Sequence, residues 1–175
     1  MKNNTKFKTA DICDIYSDDL VIMHQQFKSY GKIDSFCGQI STIKCFNDNS
    51  KVREAVNSDG CNKVLVVDGN ASTDCALLGD MLAEAAFKNN WSGIIINGCI
   101  RDSDVISEIK IGVFALSTIP VKSVKKDIGD TDIEISFMNT KFIPGDYIYA
   151  DLDGIIISKK ELDLKWTKAF FCDST

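Results

Sequence analysis

The chain has 175 residues, 45% hydrophobic and 26% charged, a composition and length that suit one globular domain able to bury its own core. Twenty Lys and Arg against 25 Asp and Glu give a net charge of −5, which argues against direct binding of nucleic acid through a broad basic face. No run approaches the ~18 apolar residues of a membrane span, and the first residues lack the apolar stretch of a secretory leader, so a cytoplasmic protein is expected.

In chain order, Thr9 to Tyr16 reads as a short first helix with Thr9 as its N-cap. Phe36 to Phe46, rich in β-formers, predicts a strand, and Lys51 to Ser58 a helix. Lys63 to Gly69 is almost wholly apolar, the pattern of a strand covered on both faces. After a loop, Ala76 to Asn89 predicts a helix, and Gly93 to Gly98 a second buried strand. Strand, helix and strand within about 36 residues make a βαβ unit with parallel strands and a right-handed crossover. Val105 to Ile109 suggests a short helix, and Val113 to Leu116 and Ile119 to Val124 short strands. The remainder is β-rich: Ile133 to Phe137, Thr140 to Ile143, Tyr147 to Ala150 and Gly154 to Ile157. Turn signals separate these at Met138-Asn139, Pro144-Gly145-Asp146 and Asp151-Leu152-Asp153-Gly154. The expected architecture is a single α/β domain with a parallel βαβ core and a β-rich C-terminal half.

The residue inventory narrows the chemistry. Seven cysteines, at 13, 37, 45, 61, 75, 99 and 172, form neither a CxxC motif nor a disulfide framework, and several read as small buried thiols. His24 is the only histidine, which removes multi-histidine zinc sites and makes a Ser-His-Asp triad improbable. Catalysis would have to use carboxylates, Arg or Lys, backbone groups or a hard cation. Lys110, Lys122, Lys125 and Lys126 read as a solvated surface, and no lysine beside a motif suggests a Schiff base.

Open α/β sheets gather ligands at the carboxyl ends of their strands. Two segments have that address. Around Leu77-Leu78-Gly79-Asp80-Met81-Leu82, near the start of the crossover helix, free N–H groups could hold a carboxylate; the plain structural alternative is close packing at Gly79 and a favourable first turn at Asp80. In Asn97-Gly98-Cys99-Ile100-Arg101-Asp102, immediately after the second buried strand, Arg101 can hold a carboxylate and Asp102 can serve a metal; the alternative is a local surface ion pair. Twenty residues separate Asp80 from Arg101, about one helix plus one strand, so both segments should return to the same sheet edge.

Asp80, twenty intervening residues and Arg101-Asp102 resemble the Asp-X20-Arg-Asp signature of the class II 4-hydroxy-4-methyl-2-oxoglutarate/4-carboxy-4-hydroxy-2-oxoadipate aldolases. The resemblance runs from Ala10 to about Leu164 and is strongest to the "regulator of ribonuclease activity A" branch. Asp14-Ile15-Tyr16, Cys37 to Ile40, Ile43 to Phe46, Val64 to Gly69, Gly145-Asp146 and Tyr149 to Asp151 carry it. That branch tends to lack the aspartates of the aldolase signature, so this chain resembles the regulator in its body and the aldolase at Asp80 and Asp102.

The resemblance implies a swivelling β/β/α-type fold over residues 1–164, a homotrimer, and a Mg²⁺ or Mn²⁺ site near the subunit interface. It also implies substrate contacts from Gly79, Asp80, Met81, Leu82 and Arg101, a metal ligand in Asp102, and catalytic roles for Arg101, Asp102 and Asp80. The implied substrate is a small 2-oxo acid cleaved to pyruvate, with oxaloacetate decarboxylation alongside. The base for retro-aldol cleavage stays open between Asp80, Asp104, a water activated by the cation, and an acid from another subunit. The alternative is a non-catalytic regulator that binds the RNA-degrading endonuclease and its helicase partners. Trp91 reads as a packing residue, Asp151 to Gly154 as a hairpin turn, and Lys165 to Thr175, with Trp166, as a tail beyond the domain.

Overall fold

A computed structural model describes residues 7–23 and 27–164. His24, Cys172 and the tail 165–175 lie outside them. The chain opens with helix α1 (Thr9–Tyr16), strand β1 (Leu20–Met23) and the short β2 (Lys28–Ser29). Next come β3 (Phe36–Lys44), α2 (Ser50–Val56), β4 (Val64–Asp68), β5 (Ala76–Leu78), α3 (Asp80–Lys88) and β6 (Gly93–Ile100). Then follow α4 (Ser103–Ile106), β7 (Gly112–Thr118), β8 (Asp130–Thr131), β9 (Ile135–Phe137), β10 (Thr140–Phe142), β11 (Tyr147–Ala150) and β12 (Ile155–Ser158).

The main sheet runs β1-β12-β11-β3-β4-β6-β7-β2. Its centre, β3 to β7, is parallel, and its flanks are antiparallel. The expected βαβ unit is present, with Val64 opposite Gly93 and Asp68 opposite Asn97. Both central strands are buried along their whole length, and their side chains alternate between two cores. Leu65, Val67, Ile94 and Ile96 meet α2, α3 and α4 through Val52, Val56, Ala83, Ala86 and Ile106. On the other face, Val64, Val66 and Ile95 pack with Ile148, Ala150, Ile155 and Ile157 of β11 and β12 and with Ile135, Phe137 and Phe142 of the β9-β10 hairpin. The layers are therefore β/β/α, a single-domain α/β fold with a mixed sheet. Gly93 and Gly112 lie opposite one another on β6 and β7. A Cβ on either would come within 2.2 or 2.0 Å of the Phe36 ring, so the pair forms the seat in which Phe36 sits.

Four sequence expectations change. Ala76 to Leu78 begin not the helix but strand β5, which takes over pairing with β6 where β4 stops: Ala76 faces Cys99 and Leu78 faces Ile100. Ile119 to Val124 form no strand beyond one bridge from Lys122 to Ala76, because the β7 ladder ends at Thr118 and the chain then crosses the sheet edge. β1, β2 and β8 were not anticipated. Thr9 is the first helical residue rather than the cap, and the carboxylate of Asp151 does the capping from across the fold. It accepts from the Thr9 amide at 2.7 Å and the Thr9 hydroxyl at 2.6 Å, and also from the amides of Asp153 and Gly154. The hairpin-turn reading of Asp151 to Gly154 therefore stands. Trp91 packs as expected, 5% exposed, with its indole N–H donating to Ser58 O at 3.2 Å.

Candidate active site

β5 and β6 are parallel, so their carboxyl ends arrive side by side. The ladder extends one residue further, with the Arg101 amide donating to Leu78 O at 3.0 Å. This bond sets Arg101 beside Gly79, the extended residue (φ −132°) that joins β5 to α3. Asp102 adopts the left-handed conformation (φ 56°, ψ 39°), turning the chain sharply from β6 into α4. Its carbonyl accepts from the Ile106 amide at 3.0 Å, fixing that turn. Arg101 Nε then lies 3.2 Å from Asp102 Oδ2, both side chains just over a third exposed.

Gly79 is the floor of this pair. A Cβ there would stand 2.8 Å from Asp102 Oδ2 and 3.2 Å from Arg101 Nε. Bare backbone at residue 79 is what lets the two charged side chains lie against the start of α3. Asp80 opens the helix, and its Oδ1 accepts from the Met81 amide at 2.7 Å. The row of free amides expected from Gly79 to Leu82 is narrower than the sequence suggested. Met81 is bonded to Asp80, and the Leu82 amide donates to Gly79 O at 3.2 Å. The Asp80 amide has no intrachain acceptor among the described residues. Met81 is 78% exposed at this edge, whereas the Leu82 side chain packs on the helix-side core. The structure thus brings Gly79, Arg101 and Asp102 into contact, with Asp80 adjoining, and turns Leu82 away.

Sequence reasoning gave no role to Asp68 and Asn97, which end the apolar runs of β4 and the middle of β6. Both are buried, at 7% and 3% exposure, and Asn97 Nδ2 donates to Asp68 Oδ1 at 2.8 Å. The amides of Gly69 and Ala71 donate to Asn97 O, and the Asn70 amide to Asp68 Oδ1. The pair thereby pins the loop that delivers β5 to β6. Their signal was a polar residue directly after each apolar run, Val64 to Val67 and Ile94 to Ile96.

Two concavities of the described residues, of about 660 and 460 Å³, are lined by other segments and include neither Arg101 nor Asp102. The pair sits on an open edge. Among the described residues no three His, Cys, Asp or Glu side chains converge as a metal cage, and no helix is long and apolar enough to cross a membrane.

Comparison with known proteins places this geometry in a family. A Pseudomonas putida (strain W619) protein named "Putative 4-hydroxy-4-methyl-2-oxoglutarate aldolase" is 50% identical over 158 residues, 90% of this chain and 97% of that protein. A solved structure described as an S-adenosylmethionine: 2-dimethylmenaquinone methyltransferase from Geobacillus kaustophilus HTA426 is 46% identical, with a TM-score of 0.87 over 89% of this chain and 97% of that one. Another, described as the RNA-processing inhibitor RraA from Thermus thermophilis, is 32% identical, with a TM-score of 0.87 over 91% of this chain and 98% of that one. One fold therefore carries three functional names, and only the site can choose among them. The family model described as RraA-like (Aldolase/RraA) matches residues 9–157, and the chain belongs to that family.

Proposed function

We propose that the chain is a divalent-cation-dependent lyase that cleaves 4-hydroxy-4-methyl-2-oxoglutarate-type 2-oxo acids to pyruvate and decarboxylates oxaloacetate. The observation that carries this reading is the Arg101–Asp102 pair held against Gly79 at the joined carboxyl ends of β5 and β6. The aldolase names of relatives at about half identity support the substrate class.

Both reactions leave an electron pair on the pyruvyl fragment, so the site must stabilise negative charge beside a carboxylate. Arg101 engages Asp102 through Nε, which leaves its two Nη groups to grip a substrate carboxylate. Fixed positive charge there stabilises the enolate as it forms, and the free Asp80 amide adds a donor at the positive end of α3. Asp102 suits the cation. It offers a hard oxygen, Oδ1, with no partner among the described residues, and Mg²⁺ or Mn²⁺ can bind through few protein ligands while keeping water. Such a cation, when bound, supplies Lewis acidity to the 2-oxo acid carbonyl. Retro-aldol cleavage also requires removal of the C4 hydroxyl proton. Asp80 and Asp104 are the carboxylates beside the pair on its two flanking helices. Decarboxylation needs no such base and tests the site more directly. Because the pair lies on an open edge, water is excluded only when another surface closes over it, and a homotrimer with the site near its interface meets that need.

The test is pyruvate release from oxaloacetate and from 4-hydroxy-4-methyl-2-oxoglutarate, with Mg²⁺ and with chelator. Chelator-sensitive turnover of both is expected; no turnover of either by the folded protein overturns the proposal. A second reading, regulation of RNA processing by binding the endonuclease and its helicases, draws on the likeness to the Thermus inhibitor. Inhibition of RNA cleavage that survives Asp102→Asn would separate it from catalysis.

A further inference from the structure

Residues 119–129 form no strand; they cross as a strap from the end of β7, past β5, to β8. Near its far end the strap meets α2. One helical stripe, Ser50, Arg53, Glu54 and Asn57, faces Lys125, Lys126 and Asp127, and the two walls flank an open, shallow groove of about 660 Å³. That volume is in the range of small-molecule sites.

The walls are fastened to each other. Asp48, only 2% exposed, accepts hydrogen bonds from the amides of Ser50 at 2.7 Å, Lys126 at 2.7 Å and Ile128 at 3.2 Å. The Ser50 hydroxyl ties the same two walls, donating to the Asp48 carboxylate and accepting from the Asp127 amide at 3.3 Å. One buried carboxylate therefore holds helix and strap in register, and the groove does not depend on loop packing alone.

Its charge is lopsided. The two acids lining it, Glu54 and Asp127, are both paired with Lys51, at 3.3 and 3.0 Å. Arg53, Lys125 and Lys126 form no ion pair among the described residues. A single unpaired surface lysine is ordinary. Here three cations line one groove whose two acids share Lys51, so the group of six side chains carries a net charge of +2 on a chain of net charge −5.

We propose that this groove binds a small oligoanion, a ligand with two or more negatively charged oxygens such as a phosphorylated or polycarboxylate metabolite. Arg53 supplies a planar fork, and Lys125 and Lys126 supply mobile point charges. The groove shares no residue with the Arg101–Asp102 pair, so binding can be read without reference to turnover.

The experiment is a titration of the full, isotope-labelled chain with pyrophosphate and separately with citrate, followed by amide chemical shifts at low and physiological salt. Saturable shifts are expected at Ser50, Arg53 and Lys125 to Asp127, weakening as salt rises. Preference for pyrophosphate identifies a phosphorylated ligand, and preference for citrate a polycarboxylate. The double variant Lys125→Glu/Lys126→Glu, and Arg53→Gln separately, should each weaken binding on the order of tenfold. Lys159→Glu, an exposed charge reversal after β12, should leave it unchanged. Absence of saturable shifts up to tens of millimolar overturns the proposal, as do shifts confined to other residues. Equal loss in Lys159→Glu does the same. Should the double reversal disturb amides throughout the chain, Arg53→Gln, which only neutralises an exposed side chain, decides.

Discussion

Asp102 holds its carboxylate in place through a backbone conformation that most residues avoid. At φ 56° the left-handed well costs an ordinary residue about 1 kcal/mol, while Asn tolerates it. The choice of replacement therefore separates two effects. Asp102→Asn should abolish cation-dependent oxaloacetate decarboxylation and leave thermal stability unchanged. Asp102→Ala should lose the same activity and about 1 kcal/mol of stability as well. Parallel melting curves and pyruvate assays check both; full activity in Asp102→Asn would remove Asp102 from the site. Gly79 gives the complementary test, because it touches both charged side chains through bare backbone. Its backbone is extended, so Ala fits there without dihedral strain, and the new Cβ at 2.8 Å from Asp102 Oδ2 must push that carboxylate aside. Gly79→Ala should keep the fold and lower kcat on the order of tenfold to a hundredfold, the scale of a displacement of a positioned group by about 1 Å. Unaltered turnover would mean the Arg101–Asp102 contact is incidental.

Whole elements were legible in the sequence where burial alone decides them. β4 and β6 are apolar along their length because both faces are covered, and that pattern needs no knowledge of partners. β5 was not legible. Ala76-Leu77-Leu78 runs without a break into helix-forming sequence, and its strand state comes from pairing with Cys99 and Ile100, more than twenty residues away. The same non-local pairing explains why spacing could bring Asp80 and Arg101 to one edge but not show that Gly79 underlies the charged pair. The strap was misread for the opposite reason, since its Val121 and Val124 look like strand residues yet are 52% and 64% exposed. What fixes the strap is Asp48. Burial pushes its carboxyl up, but hydrogen bonds from the hydroxyl and amide of Ser50 and from the amides of Ile128 and Lys126 outweigh burial and hold it at about 2. A folded value below the unfolded one stabilises the native state above the unfolded value and is lost as pH falls through the folded value. Asp48→Asn should therefore be less stable than the native chain by ~2 kcal/mol at neutral pH. That gap should close as pH falls from about 4 to about 2. Denaturant titrations at several pH values measure it, and a gap independent of pH would show that the charge of Asp48 is not what holds the strap.

At the scale of the whole molecule, the fold places its charged pair at a margin rather than in a cavity. The two cores lie on either side of the parallel strands, and every Val, Leu and Ile of β4 and β6 is consumed by them. The carboxyl edge of β5 and β6 is left to the chemistry-bearing residues, with Arg101 and Asp102 each over a third exposed. In that setting a charged pair interacts weakly, because water screens it and competes for the same groups. Enolate stabilisation by Arg101 gains strength only when the local dielectric falls, which requires a surface that the described residues do not place over the pair. The proposed trimer would supply that surface, and the requirement can be measured. Specific activity toward oxaloacetate should be constant while the assembly is intact, then fall on dilution in step with the fraction of trimer seen by mass photometry. Because closure raises every electrostatic term together, the fall should appear chiefly in kcat rather than as a simple rise in KM. Constant activity per chain across a dilution that yields monomers would mean that one subunit completes its own site, and the open edge would then have to be closed by the substrate or by a segment of the same chain.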